Sequence, residues 1–425
     1  MSLLSRFLRD RKASVAPMLA LTTIPLFGFV GAAVDYSNAS SVRTSMQAAL
    51  DATALLLSKT ANTMTQTQLQ QSANTIFAAN FQQPQAQNAQ ITINYLQQPT
   101  GAAIKITGSA DIPTRFMGAL GFPKIHIAST SSVNWSNSRL RVSLVLDNTG
   151  SMAQSGKMTA LKTAAHNLLN QLQAAAQVDG DVYVSIIPFG KDVNAGASNY
   201  NASWIDWTDW NAANGTCSKS SYTSQSSCQS HAGVWTPKNH NTWNGCVTDR
   251  DQNFDTLNST PISGGTLFPA EQYSSCPTEM LPLTFDWTAL HNKIDAMQPA
   301  GNTNQAIGLA WGWQSLTQTA PLNAPALDPN HTYQQVIILL SDGLNTQDRW
   351  YSNQSSIDNR QQITCNNLRA ASVTVYSVLV MSGDSTVLQS CATDQTKYFA
   401  LTNANQIITT FQTIGTSLQK LHLTQ

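Results

Sequence analysis

Four short apolar runs, most of them followed by a helical pattern, constrain this chain more than any other feature. They are LRVSLVL from Leu140, VYVSIIPF from Val182, QVIILL from Gln335 and SVTVYSVLV from Ser372. Each is continuous and rich in β-branched residues rather than alternating with polar ones. That pattern suits strands covered on both faces in a parallel sheet. Helical spacing recurs over Lys157 to Ala176, Asp286 to Met297, Thr303 to Leu316, Ile357 to Ala371 and Asn405 to Lys420. Strand alternating with helix predicts a doubly wound, Rossmann-like α/β domain over residues 139–425.

One stretch breaks the pattern. Residues 191–284 lack periodicity and are dense in Asn, Ser, Thr and Gly, with Trp204, Trp207, Trp210, Trp235 and Trp243 among them. A stretch of this length is too long for a structureless loop in a compact domain, so an inserted subdomain is expected, with aromatic side chains forming a small core. Four of the six cysteines fall here: Cys217, Cys228, Cys246 and Cys276; Cys365 and Cys391 follow. A zinc site drawn from Cys217, Cys228, His231, His240 and Cys246 lacks the short Cys-x2–4-Cys element. Disulfides are the expectation, and Cys217–Cys228, Cys246–Cys276 and Cys365–Cys391 are the simplest pairs by proximity.

Val15 to Val34 contains no charged residue, and as a helix it would span about 30 Å, the thickness of the hydrocarbon core. Arg6, Arg9, Arg11 and Lys12 precede it, whereas the far side opens with Asp35 and has no basic residue before Arg43. The positive-inside rule then predicts a single-pass anchor at 15–34, a cytoplasmic tail at 1–14 and the remainder outside. A cleaved signal ending near Gly31, Ala32 and Ala33 is the alternative. Beyond the anchor, Val42, Met46, Ala49, Leu50, Thr53 and Leu57 continue a helix, and an amphipathic segment occupies part of residues 60–90. Alternating stretches at Ile91, Ala103 and Lys124 read as strands. Residues 35–138 are therefore expected to form a small α+β region.

The chemistry gathers at the strand ends. LVLDNTGSM places Asp147, Thr149 and Ser151 after the first strand, and SDGLN places Asp342 after the third. GNTN, between them, puts Thr303 at a helix start. Taken singly these are a helix cap and a turn; together, at the ligand-binding edge of an α/β sheet, they read as one site. All five side chains offer oxygen, which suits Mg²⁺ first, then Mn²⁺ or Ca²⁺. Two carboxylates just balance a divalent ion and leave it able to accept an acidic ligand.

DNTGS, GNTN and LLSDG, in that order, resemble the von Willebrand factor A (VWA) family and its metal-ion-dependent adhesion site. The resemblance implies that Asp147, Thr149, Ser151, Thr303 and Asp342 hold a divalent cation whose open position takes a Glu or Asp from a partner. The N-terminal RKASVAPMLAL, GAAVDY and SMQAALDATAL, with WNGCVTDRD, TNQAIGLAWGWQSL and SDGLNTQDRW, resemble the TadE/TadG-like proteins of tight-adherence (Flp) pilus systems. That resemblance implies a bacterial inner-membrane protein with a periplasmic body and pilus-assembly or pilin-like partners. The TadE branch carries a Glu near the start of its apolar helix; this chain has none there, so prepilin-type processing is not expected.

Other functions are excluded or set aside. Charged residues are 11% and cancel to a net charge of +0, unlike a nucleic-acid binder. GSMAQSGKMT from Gly150 imitates a phosphate loop but spaces its glycines by five residues and has Met158 where a Ser or Thr would bind magnesium, so no nucleotide is expected. No zinc-protease or serine-hydrolase motif occurs, and His166 reads as an ordinary helix residue. Asp249, Arg250 and Asp251 read as a local ion-pair cluster. The expectation is a binding protein rather than an enzyme: a pilus-assembly factor first, a surface adhesin second, a hydrolase last.

Overall fold

The computed structural model describes residues 15–423 except 59, 62–63, 99–100, 136–137, 177, 330, 382 and 384. The basic tail that sets the expected topology lies outside the described residues. The chain divides into two compact units, Met1–Ser136 and Asn137–Thr424.

The first unit is built on one long helix, α1 (Val15–Ser58). Ala39, Val42, Met46, Ala49, Leu50, Ala54 and Leu57 recur every three or four residues and are buried, as one helix face must be. They pack on a three-stranded antiparallel sheet of β1 (Gln87–Gln98), β2 (Gly101–Pro113) and β3 (Lys124–Trp135), joined by α2 (Gln66–Asn80). Thr65 caps α2 through a reciprocal bond with Gln68, which satisfies two otherwise orphaned backbone donors. The N-terminal half of α1 is different. Met18, Leu21, Leu26, Phe27, Phe29 and Val30 are all more than half exposed. Among the described residues no helix is long and apolar enough to cross a membrane.

The second unit is a mixed α/β sheet. Its six main strands are β4 (Ser138–Asp147), β5 (Val182–Phe189), β6 (Leu281–Thr284), β7 (Thr332–Ser341), β8 (Thr374–Val380) and β9 (Tyr398–Leu401), and two short antiparallel strands of the insertion, Val193–Asn194 and Cys246–Val247, extend the sheet beyond β5. The six main strands lie in the order β6-β5-β4-β7-β8-β9, and among these six only β6 is antiparallel. This is the doubly wound order, with its switch point between β4 and β7. Alternate β4 residues serve two cores. Leu140, Val142, Leu144 and Leu146 face α3 (Lys157–Ala175), α4 (Trp287–Ala296) and α8 (Gln406–Leu423). Val145 faces α5 (Gln305–Ser315) and α6 (Gln354–Ala370).

Three expectations are revised. LPLT at Leu281 belongs to the sheet edge rather than the insertion; an edge strand tolerates its proline because one side needs no partner. The short strand β9 and the helix α7 (Ser385–Cys391) were not anticipated, being too brief to show a period. The insertion has no separate core. Trp204, Ile205, Trp210, Trp243 and Phe268 join the cluster containing Val145 and Trp311, and Trp204 meets Trp311 edge to face at 6.2 Å. The cysteines pair Cys217–Cys228, Cys246–Cys276 and Cys365–Cys391.

Candidate metal centre

Asp147 ends β4 and Asp342 follows β7, so the parallel pairing that sets Leu146 beside Leu340 brings the two carboxylates to one sheet edge. Asp147 is fully buried. Its Oδ1 accepts from the Thr149 amide (2.9 Å) and Thr149 Oγ1 (2.6 Å), and its Oδ2 from Ser341 Oγ (2.6 Å). Thr149 Oγ1 lies 3.1 Å from Ser151 Oγ, which donates to Asp342 Oδ1 at 2.6 Å. Hydrogen bonds thus pair Thr149 with Asp147 and Ser151 with Asp342, and the two hydroxyl oxygens stand side by side between the carboxylates. Burial, and then the nearby Asp342, pushes the Asp147 carboxyl up to about 6.

Thr303 reaches the same place from a third loop. Ala300 donates to the Asn148 carbonyl at 2.8 Å and Gly150 to that of Gly301 at 3.1 Å. On its other side Thr346 donates to the Thr303 carbonyl at 2.9 Å, and the Thr303 amide donates to Thr346 Oγ1 at 2.9 Å. Gly343 shows where the loops converge. A Cβ there would stand 3.7 Å from Ser151 Oγ and 3.8 Å from Thr303 Oγ1. The glycine therefore leaves a cradle that a side chain would fill. An oxygen-only set of two carboxylates and three hydroxyls around such a cradle fits a hard divalent cation. Among the described residues no three His, Cys, Asp or Glu side chains gather as a metal cluster, so a cation here would depend on the hydroxyls.

Two residues of the site were not anticipated. Lys157 Nζ is 2.5 Å from Asp342 Oδ2, with both side chains buried. The sequence carried a signal for it in the imitation phosphate loop, where Lys157 stands at the phosphate-binding position. Tyr273 belongs to the insertion, and its hydroxyl accepts from the Asn302 amide at 3.3 Å. The insertion therefore touches the rim of the site.

The cluster at Asp249 differs from its expected form. Arg250 is buried and donates to the carbonyls of Ser259, Thr266 and Leu257 rather than to its neighbours. Asp249 instead accepts from Asn304 Nδ2 at 2.8 Å, and Asp251 pairs with Arg349 at 2.9 Å. Backbone carbonyls satisfy the guanidinium because this segment is looped rather than paired in a sheet.

A sequence search of the curated proteins gives no match. Among solved structures the chain is similar to proximal thread matrix protein 1 of the mussel byssus, at 11% identity and a TM-score of 0.34, over 66% of this chain and 46% of that one. It is similar to the pilus adhesin SpaC of Lactobacillus rhamnosus GG, at 12% identity and a TM-score of 0.39, over 81% of this chain and 36% of that one. It therefore spans less than half the length of either. It is also similar to the vWF domain of the type V pili tip protein Mfa5 from Porphyromonas gingivalis, at 11% identity and a TM-score of 0.38, over 66% of this chain and 95% of that one. Residues 13–56 match the model of the Flp pilus-assembly TadE/G-like family.

Proposed function

We infer that this chain is a membrane-anchored, extracytoplasmic pilus-assembly or adhesion protein, and not an enzyme. In this reading its α/β unit grips an acidic side chain of a partner through a divalent cation. The convergence of three loops on one oxygen-lined cradle at the sheet's switch point carries the reading. Asp147, Thr149, Ser151, Thr303 and Asp342 would hold the ion, Mg²⁺ by preference for hard oxygen donors. The ion would supply an electrophilic position for a carboxylate, while Lys157 and Ser341 orient the two Asp ligands, as hydrogen-bonded outer partners do.

The match at residues 13–56 supports a place in pilus assembly. The charge-free stretch Val15–Val34 would anchor the chain in the bacterial inner membrane, with residues 1–14 cytoplasmic and the rest periplasmic. Three disulfides support an oxidising compartment. The partner would then be another pilus-assembly or pilin-like protein. Equilibrium dialysis with Mg²⁺ or Mn²⁺ tests the site: wild type binds, Asp147→Ala does not. Equal binding by the two would remove this site from consideration.

A further inference from the structure

The hairpin between β2 and β3 carries an apolar tip that the proposed function does not use. Residues 114–123 close it, and a short 3-10 turn runs from Met117 to Leu120. Phe116, Leu120 and Phe122 are 51%, 58% and 60% exposed. Three large apolar side chains on one ten-residue tip would form a costly patch in water. Thr114 to Lys124 contains no acidic residue; Arg115 stands at one foot, and Lys124 at the other pairs with Asp111 at 2.7 Å.

The tip is held against α1. Asp35 is only 5% exposed. Its Oδ1 accepts from the Arg115 amide at 2.9 Å, and its Oδ2 from the amides of Phe116 and Met117 at 2.9 and 2.7 Å. A carboxylate accepting three backbone donors at the start of a turn is a firm clamp. Gly31 of α1 forms the notch, and Gly28 one turn away lies in ordinary contact range of the tip. A Cβ on Gly31 would stand 2.5 Å from Phe116 Cβ, and one on Gly28 would stand 3.8 Å from Leu120 Cδ1. Gly31 and Gly28 lie four and seven residues before Asp35. At a helical rise of about 1.5 Å per residue, the tip reaches about 6 to 10 Å along the exposed apolar stretch of α1.

We propose that this hairpin tip is a membrane-interface wedge, held by Asp35 beside α1, with Phe116, Leu120 and Phe122 buried in the outer edge of a lipid bilayer. The proposal rests on the reading that Val15–Val34 is inserted. A depth of about 6 to 10 Å is that of interfacial apolar groups lodged between headgroups and acyl chains. The tip is continuous with the exposed apolar residues of α1, and the exposed Arg115 at its foot suits anionic headgroups. A bilayer would cover both surfaces at once.

The test uses the full chain, whose native cysteines are all disulfide-bonded, reconstituted in phosphatidylethanolamine–phosphatidylglycerol vesicles. An environment-sensitive nitrobenzoxadiazole label is placed on Leu120→Cys, with Leu21→Cys as the anchor reference and Val234→Cys as the aqueous reference. The expected result is a blue-shifted label at 120 with iodide quenching several-fold below that at 234, similar to the label at 21. Shielding at 21 with full iodide access at 120 overturns the wedge and leaves the anchor standing. Iodide access at 21 overturns the anchor and the wedge together. Adding Asp35→Ala is expected to restore iodide access at 120 while 21 stays shielded; a label at 120 that remains shielded overturns the clamp.

Discussion

Lys157 changes the charge balance of the candidate site. Two carboxylates alone would neutralise a divalent ion, but with the buried ammonium on Asp342 the protein supplies one net negative charge. A bound ion would keep more of its positive charge and favour an acidic partner more strongly. The same ammonium stabilises the site when no ion is bound, because buried carboxylates without a counter-charge are costly. Lys157→Met should therefore lower stability in chelator, by roughly 3–5 kcal/mol as for other broken buried pairs. Added Mg²⁺ should then raise its melting temperature more than it raises that of wild type. Thermal melts with and without Mg²⁺ check this; equal shifts would place Lys157 outside the field of the ion.

The loops that carry the site are tied to the insertion. Arg349, seven residues after Asp342, donates to the Asp249 carbonyl at 3.1 Å and pairs with Asp251 and Asp209, each at 2.9 Å. Asn304, which caps α5 beside Thr303, donates to Asp249 Oδ2. Arg360 pairs with Asp255. Burial, and then the nearby Asp348, pushes the Asp249 carboxyl up to about 7. Asp255, Asp192 and Arg360 also act on it, and the Arg349 amide donates to its Oδ2 at 3.3 Å. A raised carboxyl pKa means that the folded state holds this proton more tightly than the unfolded chain. Its contribution to stability is present at low pH and is lost as pH rises from about 4 to about 7. Asparagine mimics the protonated form, so Asp249→Asn should gain on wild type across that window. Melting temperatures at several pH values check it; a constant difference would mean that Asp249 titrates as an ordinary carboxyl.

Each of the two units has its own core, one under α1 and the others on the two faces of the β4–β9 sheet. A fragment from Ser138 to Leu423, made where disulfides form, should fold without the first unit. Calorimetry should show the fragment melting at the temperature of one transition of the full chain. A fragment that does not fold would show that the first unit is required.

The apolar runs by themselves determined the sheet, because a strand buried on both faces admits few polar residues. They equally showed where its ligand-binding edge would lie, since Asp147 and Asp342 directly follow two of those runs. Short edge pieces such as β9 stayed hidden, because four residues carry too little pattern. The helical spacing of Val42, Met46, Ala49, Leu50 and Leu57 likewise marked the buried face of α1. Only the tertiary structure decided what surrounds the site. Lys157 meets Asp342 across 185 residues, and Asn304 reaches Asp249 across 55. Pairings of that span leave no local period. They follow from which loops the sheet order brings to one edge, and from the insertion's tryptophans joining a core that the sheet had already begun.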